Sequence, residues 1–160
     1  MIKDNLQNLI FEAMKSKDEV RLSTLKMLSS ALNYERIAKM HELTEEEELV
    51  VVAREAKKRK EAIDAYGAAK GKSTNSSISM EDRIAREQKE LNSLEEFLPE
   101  QLSDEDLDKI VTEAISQMNV STIAEMGKVI GAVKSKVGAT ADGARIAQIV
   151  KSKLTRLLND

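Results

Sequence analysis

Lys128, Lys134 and Lys136 stand among Gly127, Gly131, Gly138 and Gly143, and this stretch is where the sequence concentrates groups able to touch an anion. Met126, Ile130, Val133 and Val137 recur at helical spacing, so Gly127 and Gly131 fall inside an amphipathic helix, where each costs roughly 1 kcal/mol relative to alanine. Four residues apart, the two glycines share a helix face and leave a smooth strip that another backbone can approach. Lysines beside such a strip suit phosphate contacts, with the glycines supplying clearance. The candidate RNA-binding residues are therefore Lys128, Lys134, Lys136, Arg145, Gly127, Gly131 and Gly143, with Lys151 and Lys153 farther along. Both phenylalanines and both tyrosines lie before residue 99, so the tail has no stacking platform for unpaired bases. Structured RNA fits it better than a single strand. The competing reading is that Gly127 and Gly131 receive a neighbouring or partner helix, that Gly138 and Gly143 shape turns, and that the lysines are solvated.

A second basic group, Arg54, Lys57, Lys58 and Lys60, lies on one helix beside Glu55, Glu61 and Asp64. It is either a secondary binding patch or a solvated face with local pairing. Arg59 occupies a position on the apolar stripe of the same helix, which predicts an ion pair inside the fold with a glutamate of another helix.

Catalytic chemistry finds little footing. The only histidine, His41, sits at a junction between helices, and its expected state is an exposed linker residue. Glu45 to Glu48 follow Thr44 and read as helix-start chemistry, because consecutive carboxylates point in different directions around a helix. The glycines fit neither a dinucleotide loop nor a phosphate-binding loop, since no strand precedes them and the upstream glycine spacing is missing. With no cysteine there is no disulfide, thiolate metal site or cysteine nucleophile. The expectation is no catalytic residue, no cofactor and no metal.

The elements that position these residues are all helical. Only 2% of the chain is aromatic and proline occurs once, while Ala, Leu, Lys, Glu and Met dominate, which favours helix over sheet. Apolar stripes predict a first helix through Ile2, Leu6, Leu9, Ile10 and Ala13. A second runs from about Glu19 to Met40, capped by Asp18. Its Leu22, Leu25, Leu28 and Leu32, with Met27, Ala31 and Tyr34 on other sides, predict a central and deeply buried helix. Thr44 opens a third, to about Tyr66, and a fourth carries Ile84, Leu91, Leu94 and Leu98 up to Pro99. Gly67 to Ser79 reads as a loop and a site for proteolysis. Ser103 starts a further helix, Ser121 or Thr122 the next, and Asp142 the last. The expected fold is all-α, a bundle of about four helices over residues 1–98 followed by a three-helix tail domain over 99–160.

Charge is unevenly placed: residues 99–120 carry one basic and six acidic side chains, and residues 121–160 seven basic and three acidic. An anionic partner would be drawn to that last segment. No run is long enough to span a bilayer, and the N-terminal residues resemble neither a signal nor a transit peptide, so no membrane partner and a cytoplasmic location are expected.

Three motifs together resemble the stand-alone YqeY proteins: Lys15-Ser16-Lys17-Asp18-Glu19-Val20-Arg21-Leu22, Phe97-Leu98-Pro99-Glu100-Gln101-Leu102-Ser103, and Met126-Gly127-Lys128-Val129-Ile130-Gly131 with Ala141-Asp142-Gly143. In that family the tail resembles the C-terminal domain of the B subunit of the aspartyl/glutamyl-tRNA amidotransferase, a helical module implicated in holding tRNA. The resemblance implies a GatB/YqeY-type fold and a tRNA-related role, with an amidotransferase or synthetase as a possible protein partner. It also implies a family-level label of carbon–nitrogen ligase with glutamine as amide donor. The catalytic parts of that complex have no counterpart in this sequence. Thr140 stands where members often carry a basic residue before the Ala-Asp-Gly triplet.

Overall fold

A computed structural model describes residues 1–69, 71 and 78–159. Among the described residues there are seven α-helices and no strand: α1 (Ile2–Lys15), α2 (Glu19–Lys39), α3 (Glu45–Ala68), α4 (Met80–Glu95), α5 (Asp104–Met118), α6 (Met126–Val137) and α7 (Gly143–Asn159). The fold is all-α. The run Lys72 to Ser77, at the centre of the expected protease-sensitive loop, lies outside the described residues. No helix among them is long and apolar enough to cross a membrane.

The helices start where local chemistry provides a cap. Asp18 accepts the Arg21 N–H at 3.0 Å, and Ser79 and Ser103 accept those of Asp82 and Asp106 at 3.0 and 3.1 Å. Thr44 and Glu47 form a reciprocal capping box, with Thr44 N–H donating to Glu47 Oε2 at 2.9 Å and Glu47 N–H donating to Thr44 Oγ1 at 3.3 Å. Each such cap contributes about 1 kcal/mol.

The chain divides into two compact units, Met1–Leu98 and Pro99–Asp160. In the first, Leu6, Leu25, Leu28, Val51, Val52, Ala56 and Leu94 form the buried centre. Arg59 is buried with them, and its Nε donates to Glu90 Oε2 of α4 at 2.7 Å, the cross-helix ion pair expected from its place on the stripe. Glu48 is fully buried; its Oε2 accepts the Ile2 N–H at 2.6 Å and so fastens the start of α1 to α3.

The expectation for α2 needs correction. Its Leu25, Leu28 and Leu32 are buried, yet Met27 and Tyr34 are 50% and 75% exposed. Apolar residues on several sides had implied a surrounded helix; here one side faces the core and the other faces solvent, a pattern permitted because single exposed apolar side chains carry a small penalty.

In the second unit, Leu107, Val111, Val129, Val133, Ile146, Val150 and Leu154 make a separate core. These are the inward stripes of α5, α6 and α7, and each full burial of such a side chain stabilises by about 1.5–3 kcal/mol. Leu157 is 57% exposed near the end of α7.

Candidate nucleic-acid interface

The geometry of the tail begins with the inward face of α6. Val129, Val133 and Val137 are buried, which fixes the rotation of the helix and turns Gly127 and Gly131 to solvent. A Cβ added at either glycine would meet nothing within 4 Å. Neither glycine therefore serves close helix packing within the chain, and neither has a positive φ that would demand glycine. The strip is open, with Ser135 continuing it one turn on and its hydroxyl donating to Gly131 O at 3.0 Å.

Lys128 borders this strip. Its side chain is 71% exposed, and the nearest carboxylate oxygen, of Glu125, is 3.9 Å away. Lys134 is differently engaged: its ammonium donates to Gly138 O, at the end of α6, at 3.0 Å and to Ala141 O, in the connection to α7, at 2.9 Å. Gly138 has φ +56°, so the turn that brings those carbonyls to the lysine requires glycine. Thr140, in place of a basic residue, donates to Val137 O at 2.6 Å.

On α7, Asp142 caps the helix by accepting the Ala144 N–H at 2.8 Å, and Gly143 follows as its first residue. Arg145 Nη2 donates to Leu102 O at 2.9 Å and to Asp104 Oδ1 at 2.6 Å. Lys153 pairs with Asp108 at 2.8 Å, and Lys136 of α6 pairs with Glu113 at 2.8 Å. Lysine donation is also the first cause of the lowered pKa of Glu113. Lys151 and Arg156 have no ion-pair partner among the described residues.

Segment charge thus differs from surface charge. Three carboxylates of α5 lie against three cations of α6 and α7, so the basic tail is partly neutralised inside its own unit. Between the Asp104 and Asp108 bridges an open groove of about 320 Å³ is lined by Gln148, Ile149, Ser152 and Arg156. The sequence holds one signal for this arrangement, the four-residue spacing that puts Asp104 and Asp108 on one helix face.

The basic residues of α3 belong to the other unit and are each paired: Arg54 with Glu35 at 2.9 Å, Lys57 with Glu61 at 3.8 Å, Lys58 with Glu55 at 2.6 Å and Lys60 with Glu95 at 3.1 Å. His41 has 52% of its side chain exposed; Nδ1 lies 2.8 Å from Glu42 O and Nε2 3.6 Å from a Glu47 oxygen. No group of three or more histidine or acidic side chains placed to hold a metal ion occurs among the described residues.

Residues 3–154 match the family described as Yqey-like protein, and the chain belongs to that family. No curated protein matches the sequence.

Proposed function

Starting from membership of the Yqey-like family, we propose that this chain is a binding protein rather than a catalyst, and that its second unit recognises the folded shape of tRNA or a comparable structured RNA. The observation that carries this reading is the uncovered face of α6, where Gly127 and Gly131 meet no neighbouring atom and Lys128 stands exposed beside them. A sugar–phosphate backbone can approach a helix closely where side chains are missing, and one cation at the border supplies attraction without base readout. Lys136 and Arg145 are partly exposed and exchange their carboxylates for phosphates in this reading; Gly143 gives clearance at the α7 start. Lys134 holds the turn that shapes the site. The cytoplasm is the compartment the reading requires.

Fluorescence anisotropy with labelled transfer RNA tests it. Affinity is expected to fall steeply with salt, and Lys128→Glu and Gly131→Leu each to weaken binding at least several-fold while the helical signal stays unchanged. A Cβ at Gly131 meets nothing within 4 Å and the position faces solvent, so with the helical signal unchanged a loss of binding reports on the ligand. Equal binding by both variants and the parent rejects the reading.

A protein adaptor is the second reading, favoured by the engagement of Lys134, Lys136 and Arg145, which leaves the strip itself nearly uncharged. A partner helix, for instance from an amidotransferase or synthetase, would then lie along Gly127 and Gly131. Loss of a co-purifying protein in Gly131→Leu, with nuclease treatment having no effect, would select it. For the family-level ligase label, the expected result is no release of ammonia or glutamate from isolated protein given glutamine, ATP and misacylated tRNA.

A further inference from the structure

Met27, Ala31, Tyr34 and Ala38 recur at alternating intervals of four and three residues, which puts them on one face of α2. The core of the first unit leaves this face uncovered, and Met27 and Tyr34 are 50% and 75% exposed on it. α3 runs antiparallel alongside, because Lys39 pairs with Glu47 at 3.0 Å and Glu35 with Arg54 at 2.9 Å. The same two bridges set Val50 of α3, 61% exposed, level with Ala38. One exposed apolar side chain needs no account, but a patch of them across two neighbouring helices marks an interaction surface.

The charges around the patch say what covers it. Glu46 lies four residues before Val50 and Arg54 four residues after it, so a carboxylate and a guanidinium stand about 6 Å to either side along the same line of α3. Glu46 is exposed and makes no ion pair among the described residues. Arg54 is 47% exposed and meets Glu35 through Nη1, which leaves other N–H donors of its guanidinium open. An identical helix approaching antiparallel sets Glu46 of each copy against Arg54 of the other. A parallel approach sets like charge against like. A uniformly acidic or basic partner would match one end of the patch and repel the other, whereas a second copy matches both.

We propose that this face receives a second copy of the chain, with α3 on the partner copy's α3 about a two-fold axis through Val50. The same rotation lays α2 on its counterpart, so that Tyr34, Ala38 and Val50 are covered together and two Glu46–Arg54 pairs close the ends. The patch runs only about 16 Å along α2, which places the contact at the small end of specific interfaces, with a dissociation constant on the order of 10–100 µM. This surface belongs to the first unit, and its use does not depend on RNA recognition by the second.

Sedimentation equilibrium of the full-length protein from about 5 µM to about 1 mM brackets that constant, and the mass is expected to rise from one chain toward two. Arg54→Glu and Glu46→Arg each place like charges across the axis, and each is expected to weaken self-association at least tenfold. Both positions are exposed, so the helical signal of either variant should match the parent. Mixed together, the two single variants are complementary at both contacts and are expected to associate about as well as the parent. Glu46→Arg combined with Arg54→Glu in one chain is expected to recover self-association for the same reason. A parent that stays monomeric throughout the range, single variants that dimerise as the parent does, or a mixture of the two folded variants that fails to associate each overturns the proposal.

Discussion

Arg59 and Glu90 meet across α3 and α4 at 2.7 Å, with side-chain exposures of 10% and 9%, so a full charge pair is part of the interior of the first unit. Glu87 lies 3.6 Å from the same guanidinium nitrogen, and Arg86 Nε donates to the second Glu90 oxygen at 3.2 Å. The pair is therefore satisfied at both ends, which is what burial of charge demands.

Removing one partner should be expensive and removing both should not. Arg59→Ala leaves Glu90 with only the more exposed Arg86 and is expected to destabilise the first unit by about 3 kcal/mol. Arg59→Met with Glu90→Met is expected to recover most of that loss, because two apolar side chains of similar length need no partner. Both tyrosines lie in residues 1–98, so tyrosine fluorescence during urea unfolding reports this unit by itself. A loss under 1 kcal/mol for Arg59→Ala, as exposed pairs show, would contradict the assignment.

Two carboxylates of α4 and its end should give opposite pH signatures. Arg21 grips Glu96 through both oxygens at 2.6 and 2.7 Å, and this hydrogen bonding lowers the Glu96 pKa from its ordinary 4.5. A lowered folded value means stability that is present above pH 4.5 and lost as pH falls through the folded value. Glu96 is half exposed, so Glu96→Gln should cost only roughly 0.2–1 kcal/mol near pH 7, and the difference should vanish in acid. Glu87 is raised, by burial first and by Glu90 second, so its contribution is present below its ordinary 4.5 and lost as pH rises through the folded value. Urea unfolding of Glu96→Gln and Glu87→Gln between acid and neutral pH should show the first difference growing and the second shrinking or reversing.

Much of this organisation was legible because it is local. Asp18, Thr44 and Ser103 announce helix starts through contacts three residues away, and the Thr44–Glu47 box can be read from spacing. Arg59 was recognisable as buried and paired, but Glu90, thirty-one positions on, was not nameable, because the partner depends on how α3 and α4 pack. The exposure of Met27 and Tyr34 is hidden in the sequence for the same reason: a helix with two apolar sides does not reveal which one finds a neighbour. In the tail, counting charge by segment concealed that Asp104, Asp108 and Glu113 fold back against Arg145, Lys153 and Lys136. In the sequence Lys134 looks available for a phosphate, because its two carbonyl acceptors exist only once the Gly138 turn forms.

The glycines of α6 and its end should respond oppositely to alanine. Gly131 lies within the helix, has ordinary negative φ and meets nothing within 4 Å, so Gly131→Ala is expected to stabilise the second unit by roughly 0.4–1 kcal/mol. Gly138 adopts φ 56° and ψ −124°, a conformation disfavoured for a residue with a Cβ, and Gly138→Ala is expected to destabilise by on the order of 1–3 kcal/mol while releasing Lys134 from its carbonyls. Circular dichroism melts and amide hydrogen exchange of α6 check both signs. If Gly131→Ala destabilised the unit, the conclusion that the fold does not need this glycine would fail.

The α5 carboxylates make a sharper test of which cations face a ligand. Asp104 and Asp108 hold Arg145 and Lys153, so an RNA phosphate reaching either cation must displace a carboxylate already in place. Asp104→Asn with Asp108→Asn removes that competition and two negative charges together, while Arg145 keeps its bond to Leu102 O and with it much of its orientation. If both cations contact RNA, affinity should rise, and the slope of log affinity against log salt should steepen by up to about 0.9 for each added phosphate contact. If only the Lys128 border contacts RNA, the loss of two negative charges elsewhere on the unit should produce a smaller gain with an unchanged slope, since long-range attraction is screened without new ion release at a contact. Anisotropy titrations at several salt concentrations separate these outcomes. A double variant with unaltered affinity and slope would place the α5–α7 side of the unit away from the bound RNA.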